Sequence, residues 1–174
     1  DVEGNEMVTI QIARIASYMD TTAGKTTTVV SILDDEVPPV TYTKIYEIQY
    51  STAGGTFDSP KKGMTVKTSG VVTATLGGNN GGYWIQDSAS AWNGVFVFDQ
   101  TNMPVRGDSV EIEGTVDEYY GVTQIKSITS FNNLKSGVAE PTPVAVTTKQ
   151  IQTKEMYEGV LIKASTAKCE DDNI

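Results

Sequence analysis

The chain has 174 residues, with 13 bases against 22 acids for a net charge of −9, no histidine and a single cysteine, Cys169. That acidic balance works against a purely electrostatic hold on phosphates. The missing imidazoles remove the usual neutral-pH proton shuttle and the commonest transition-metal ligand, and one thiol cannot close an internal disulfide. No apolar run is long enough to cross a bilayer as a helix, so no membrane insertion is expected.

Glycine, threonine, valine and isoleucine favour strands and turns over helices. In MVTIQIA, Val8, Ile10 and Ile12 alternate with Thr9 and Gln11, the pattern of a half-buried strand. After DTTAGKT, the run TTTVVSIL predicts a second strand that stops at Asp34, Asp35 and Glu36. A lone hairpin is marginal in water, so residues 1–36 are expected to be the end of a larger sheet or to pack on the next domain. The stiff connector Val37-Pro38-Pro39 then opens a linker and lead-in over 37–59. Charge changes along the way: residues 1–41 hold seven acids and two bases, whereas 60–135 hold seven acids and six bases.

From 60 to 135 the chain predicts five short strands. MTVKTSGVVTATL comes first, with Gly70 at an expected bend or bulge. YWIQD follows the turn LGGNNGG, and then come GVFVFD, SVEIEGTVDEYY with Gly114 inside it, and VTQIKSITSF after Gly121. Five strands with glycine bends fit a small closed barrel of the OB type, whereas a sandwich more often needs seven. Beyond it, 136–174 is expected to hold a proline-bearing linker, VAEPTPVAVTTKQ, and the first strand of a further β module around Val160 to Ala164. The predicted class is therefore all-β: an OB-type barrel flanked by a truncated β-sandwich hairpin and the start of another module.

Two resemblances attach to these segments. EGNEMVTIQIARI, a turn and TTTVVSILDDE resemble the last strands of a Calx-β domain. SPKKGMTVKTSGVVTATL, GGYWIQDSASAWNGVFVFD, RGDSVEIEGTVDEYYGVTQI and YEGVLIK resemble the OB-fold domain attached to secreted bacterial nucleases and other exported proteins of the Bacteroidota type. The first resemblance implies a possible Ca²⁺ held by Asp34, Asp35 and Glu36 with Glu3, since calcium takes six to eight oxygens. Other ligands of such a site would precede Asp1, and an acidic strand end also serves simply to keep a sheet edge charged. The second implies an extracellular or cell-surface location, neighbouring domains in a parent chain, and single-stranded nucleic acid or an oligosaccharide as partner. No cofactor is required. A structural alternative is a spacer or adhesion module with a calcium-stiffened joint.

In OB folds the face of strands two and three, with the loops joining strands one to two and four to five, binds such polymers. Here those elements are Tyr83 to Asp87, Val95 to Phe98, Gly77 to Gly82 and Glu118 to Val122. Flat rings stack on bases or sugars, so Tyr83, Trp84, Trp92, Phe96, Phe98, Tyr119 and Tyr120 are the candidate ligand residues. Alternation splits them. If Ile85, Val95 and Val97 point inward with Val110 and Ile112, then Trp84, Phe96 and Phe98 face out; the opposite packing would bury the rings. Lys61 and Lys62 are the most suggestive phosphate contacts, ahead of Lys67, Arg106 and Lys126.

Catalytic signals are weak, and no catalysis by this chain is expected. Glu111 with Glu113 and Asp117 with Glu118 could pair as acid and base, but Glu111 and Glu113 have the spacing of outward positions on a strand. GGNNGG lacks the lysine of a phosphate-cradling loop. Arg106-Gly107-Asp108 suits a turn into the fourth strand better than adhesion, and Cys169, followed by acids at 170 to 172, has no environment that favours a thiolate.

Overall fold

The computed structural model describes residues 41–52, 57–77, 81–153 and 155–165. The hairpin predicted over 1–36, with the calcium candidates Glu3, Asp34, Asp35 and Glu36, lies outside the described residues, as do 78–80 of the first interstrand loop and Cys169.

Five strands close into a barrel: β1 (Thr65–Leu76), β2 (Gly82–Gln86), β3 (Gly94–Val97), β4 (Ser109–Tyr119) and β5 (Val122–Lys135). Their order is β1-β2-β3-β5-β4, and β4 returns to β1. Every pairing is antiparallel except β3 with β5, where Phe96 lies opposite Gln124. This is the predicted OB-type barrel. Closure depends on β1 serving two partners, because Thr65 to Val71 pair with β4 while Val71 to Leu76 pair with β2. Gly70 sits where the strand changes partner. A Cβ there would lie 3.1 Å from the backbone of Gln86, so a side chain at the bend would fit only tightly.

Alternation decides the filling. Val66, Val72, Ile85, Val95, Val97, Val110, Ile112, Val116 and Ile125 are buried inside, with Ile128 and Phe131 packed against them. Ile85, Val95, Val97, Val110 and Ile112 thus take the predicted inward parity. Each buried aliphatic side chain of this size contributes about 1.5–3 kcal/mol.

The lead-in is more than a linker. Residues 45 to 49 form one short helix, α1 (Ile45–Gln49), whose Ile45, Ile48 and Gln49 share a face and are buried. Five residues cannot hold a helix alone. Contacts hold it: Asp87 Oδ2 accepts the Ile45 N–H at 3.1 Å, Gln49 Nε2 donates to the Gly94 carbonyl at 2.6 Å, and the Ser59 hydroxyl donates to the Ile48 carbonyl. The helix therefore adds Ile45 and Ile48 to the barrel core beside the Asp87 and Gly94 ends of β2 and β3.

From 136 onward, the stretch expected to hold a linker and the first strand of a further module, the strand expected around Val160 to Ala164 is present. Strand β6 (Val144–Val146), helix α2 (Thr148–Thr153), a 3₁₀ turn at Glu155–Tyr157 and strand β7 (Ile162–Ala164) follow, with β6 and β7 pairing in parallel. Residues 156 to 161 lie against the barrel: the Trp92 N–H donates to the Met156 carbonyl, Glu158 Oε1 accepts the Thr123 N–H, and the Leu161 N–H donates to Gln86 Oε1, all at 2.8 Å. Among the described residues no helix is long and apolar enough to cross a membrane.

Candidate binding face

With the aliphatic residues inside, the other parity of β2, β3, β5 and β4 faces out. Register places Trp84 opposite Phe96, Phe96 beside Gln124, and Gln124 opposite Asp117, giving one row across four strands. Trp84 and Phe96 touch with ring centroids 4.8 Å apart and planes tilted by 46°. The Phe96 ring leans over Gly82, where a Cβ would meet its Cζ at 2.4 Å; only glycine leaves room for the ring. Phe98 continues the face and is 40% exposed.

Leu76, Phe96, Phe98, Asp117, Tyr119, Gln124 and Lys126 line a groove of about 580 Å³ on this face. That volume is in the range of small-molecule sites. The wall is mostly apolar, with polar groups from β4 and β5. Lys126 Nζ sits 2.6 Å from Asp117 Oδ2, and this ammonium holds the Asp117 carboxyl below its ordinary pKa. Gln124 Nε2 also donates to Asp117 Oδ2, at 3.5 Å. Such an arrangement can stack flat rings and hydrogen-bond their edges.

The other predicted residues divide. Tyr119, 62% exposed, is at the groove, whereas Tyr120, 92% exposed, stands at the tip of the β4–β5 turn. The two rings meet edge to face at 4.6 Å. Tyr120 (φ 52°) and Gly121 (φ 80°) both adopt left-handed backbone between the paired Tyr119 and Val122, the geometry of a type I′ hairpin.

Tyr83 is not a surface ring. It is 1% exposed inside the barrel, edge-on to Phe131, and its hydroxyl donates to Asp99 Oδ2 at 3.4 Å. A phenol tolerates the interior because Asp99 gives its hydroxyl a partner; burial, with Asp99 adding to it, raises its pKa far above the ordinary value. Trp92 also leaves the platform. It lies in the β2–β3 loop against Tyr50, ring centroids 5.6 Å apart, and Tyr50 stacks on Tyr46 at 4.9 Å.

The predicted bases form no track along the groove. Lys61 and Lys62 lie in the turn that leads into β1, and Lys62 Nζ pairs with Asp58 at 2.8 Å. Lys67 pairs with Glu111 at 2.9 Å, and Arg106 pairs with Glu140. Among the described residues lining the groove, Lys126 is the one base. Glu111 is outward by register yet 6% exposed, because Tyr42, Lys67 and Asn132 all donate to its carboxylate; they hold its pKa at about 2. That binding set is structural. Sequence reasoning did not single out Leu76 or Gln124 and named Asp117 only in a carboxylate pair with Glu118, although Gln124 and Lys126 share the parity opposite to Thr123 and Ile125 along β5, and Asp117 shares parity with Tyr119.

No family model and no curated protein matches the chain. Among solved structures it is similar to the hypothetical protein ygiW from E. coli, at 18% identity over 42% of this chain and 77% of that one, with a TM-score of 0.34. OBody AM1L10 bound to hen egg-white lysozyme is 18% identical over 58% of this chain and 98% of the other, with a TM-score of 0.45. Asparaginyl-tRNA synthetase from Pyrococcus horikoshii, complexed with asparaginyl-adenylate, is 20% identical over 48% of this chain but only 22% of its own length, with a TM-score of 0.37. The barrel assignment rests on strand order and register.

Proposed function

We propose that the barrel is a non-catalytic binding module that holds single-stranded nucleic acid by stacking bases on Trp84, Phe96, Phe98 and Tyr119. It would act as an accessory domain of an exported multidomain protein, and the resemblance of its sequence motifs supports a nuclease elsewhere in the parent chain. One observation carries the reading: aliphatic side chains fill the barrel, while Trp84 and Phe96 pair on its outer face beside an open apolar groove. Stacking on each ring is worth about 1–3 kcal/mol per base and tolerates any sequence, because every base has a flat face.

A specific observation also favours oligosaccharide as a second reading. Lys126 is tied to Asp117, so among the described residues lining the groove there is no unpaired cation for a phosphate. Nucleic acid bound here would therefore show a shallow salt dependence.

Titration with oligothymidylates and with neutral oligosaccharides, following tryptophan fluorescence at low and moderate salt, tests both readings. Quenching by oligothymidylate that is lost in Trp84→Ala supports the first, and a response to the sugars alone supports the second. If neither polymer changes the fluorescence, the face has no such ligand and the barrel is a spacer between domains.

A further inference from the structure

The outer face of β2 and β3 has a second, lower row, and part of this chain already covers it. Gln86 and Gly94 are paired neighbours, one alternation below Trp84 and Phe96. A Cβ on Gly94 would point outward and meet the Gly159 carbonyl oxygen at 2.1 Å, so the backbone of Gly159 lies directly on β3. Beside it, Glu158 is fixed to Thr123 of β5 and Leu161 to Gln86 of β2. Residues 158, 159 and 161 thus contact β5, β3 and β2 in turn. The strap runs across the strands, the direction in which the Trp84–Phe96–Gln124 row also runs. Gly159, Val160, Leu161 and Ile162 also line a hollow beside Trp84.

We infer that the strap Glu158–Leu161 occupies the lower lane of the polymer path and so sets the length of strand that the barrel accepts. This rests on the proposed stacking function. The lane left open holds Trp84, Phe96, Phe98 and Tyr119, enough for about three stacked bases, below the roughly four to sixteen nucleotides common for OB barrels. Among the described residues the strap is anchored by one hydrogen bond to each of β2 and β5, by the packing of Gly159 on β3 and by the burial of Val160. Gly159 is required by its fit: its φ is +66°, and a Cβ on it would approach the Gly94 carbonyl carbon to 2.8 Å.

The test uses the full chain with Trp92→Phe, so that fluorescence reports Trp84 alone, and two variants that release the strap differently. Gly159→Val drives a side chain into β3, and Leu161→Pro removes the N–H that donates to Gln86. Acrylamide quenching of Trp84 and the affinity for oligothymidylates of about two to ten nucleotides are measured for each. The expected result is greater quenching in both variants. In the parent, affinity levels off at about three nucleotides; in the variants it continues to rise, by about tenfold at the longer lengths. Unchanged quenching in both folded variants overturns the inference, because the strap then does not cover the face. Increased quenching with the same length dependence as the parent overturns it too, while leaving the stacking reading intact. Increased quenching with no oligothymidylate bound by any of the proteins overturns the stacking reading and this inference with it.

Discussion

Trp84 and Phe96 stand directly opposite each other on β2 and β3, in contact on the outside of a barrel whose inside is aliphatic. This pair places the richest aromatic stretch of the sequence on a surface and leaves the core to Ile85, Val95 and Val97. Replacing Trp84 by alanine should weaken oligothymidylate binding by about 1–3 kcal/mol, a loss of roughly five- to 150-fold in affinity. The thermal midpoint should fall far less than for Ile85→Ala, whose buried side chain is expected to cost about 2–5 kcal/mol. Fluorescence or anisotropy titration beside thermal melts distinguishes the two variants. Equal loss of stability in both would place Trp84 in the core and remove the platform.

Glu111 gathers Tyr42, Lys67 and Asn132 around one carboxylate, and its pKa lies at about 2. A depressed value means that the folded state favours the ionised form, so this stabilisation is present above the ordinary carboxylate pKa and is lost as pH falls through about 2. Glu111→Gln should therefore destabilise the protein at neutral pH by about 1–3 kcal/mol, by leaving the Lys67 ammonium without its carboxylate. Urea titrations at pH 7 and pH 2.5 should show the variant and parent converging in acid. A constant gap would assign the effect to packing instead.

Glu158 behaves in the opposite sense. Burial first, then the nearby Glu155 and Glu118 carboxylates, push its pKa up to about 7. Its neighbour Glu155 is also raised, again chiefly by burial. A raised value means that the folded state favours the protonated form, so stability present below the ordinary carboxylate pKa declines as pH rises through about 7. Hydrogen exchange at the Thr123 and Leu161 amides, corrected for intrinsic rates, should show less protection at pH 8 than at pH 5.5. Glu158→Gln should flatten that difference, because an amide oxygen still accepts the Thr123 N–H without ionising. A pH dependence that persists in the glutamine variant would move the effect to another group.

Tyr120 occupies the first left-handed position of the β4–β5 hairpin, where asparagine, aspartate or glycine is favoured. Tyr120→Asn is expected to raise stability by about 0.5–1 kcal/mol in denaturant titration. Binding should be unchanged, since Tyr120 does not line the groove, whereas Tyr119→Ala should reduce it. If Tyr120→Asn costs affinity, the hairpin tip is part of the ligand site.

The barrel was readable because a strand repeats every two residues, and five runs in succession carried that alternation. Parity alone put Ile85, Val95 and Val97 on one side and Trp84, Phe96 and Phe98 on the other. Tyr83 shows where residue type misleads: its ring suggested a surface, but its parity matched Ile85, and Asp99 sixteen residues on satisfies its hydroxyl. Helix α1 left no legible period in five residues, since its apolar face is defined by contacts with Asp87, Gly94 and Ser59. The strap was hidden for the same reason. Its anchors join Glu158 to Thr123 and Leu161 to Gln86, separations of 35 and 75 residues that no local pattern encodes.

Closure of β4 onto β1 also decides where this molecule can be sticky. Within the cylinder each strand lies between two neighbours, so over the paired stretches there is little free ribbon margin to recruit a second copy. The parallel pair β6 and β7 is different, being an isolated two-strand sheet with outer margins open among the described residues. Pro141 and Pro143 just ahead of β6, and the exposed Lys163 within β7, are the kinds of residue that discourage a foreign strand from docking there. Edge-to-edge pairing would thus be opposed by topology in the barrel and by residue choice in this small sheet.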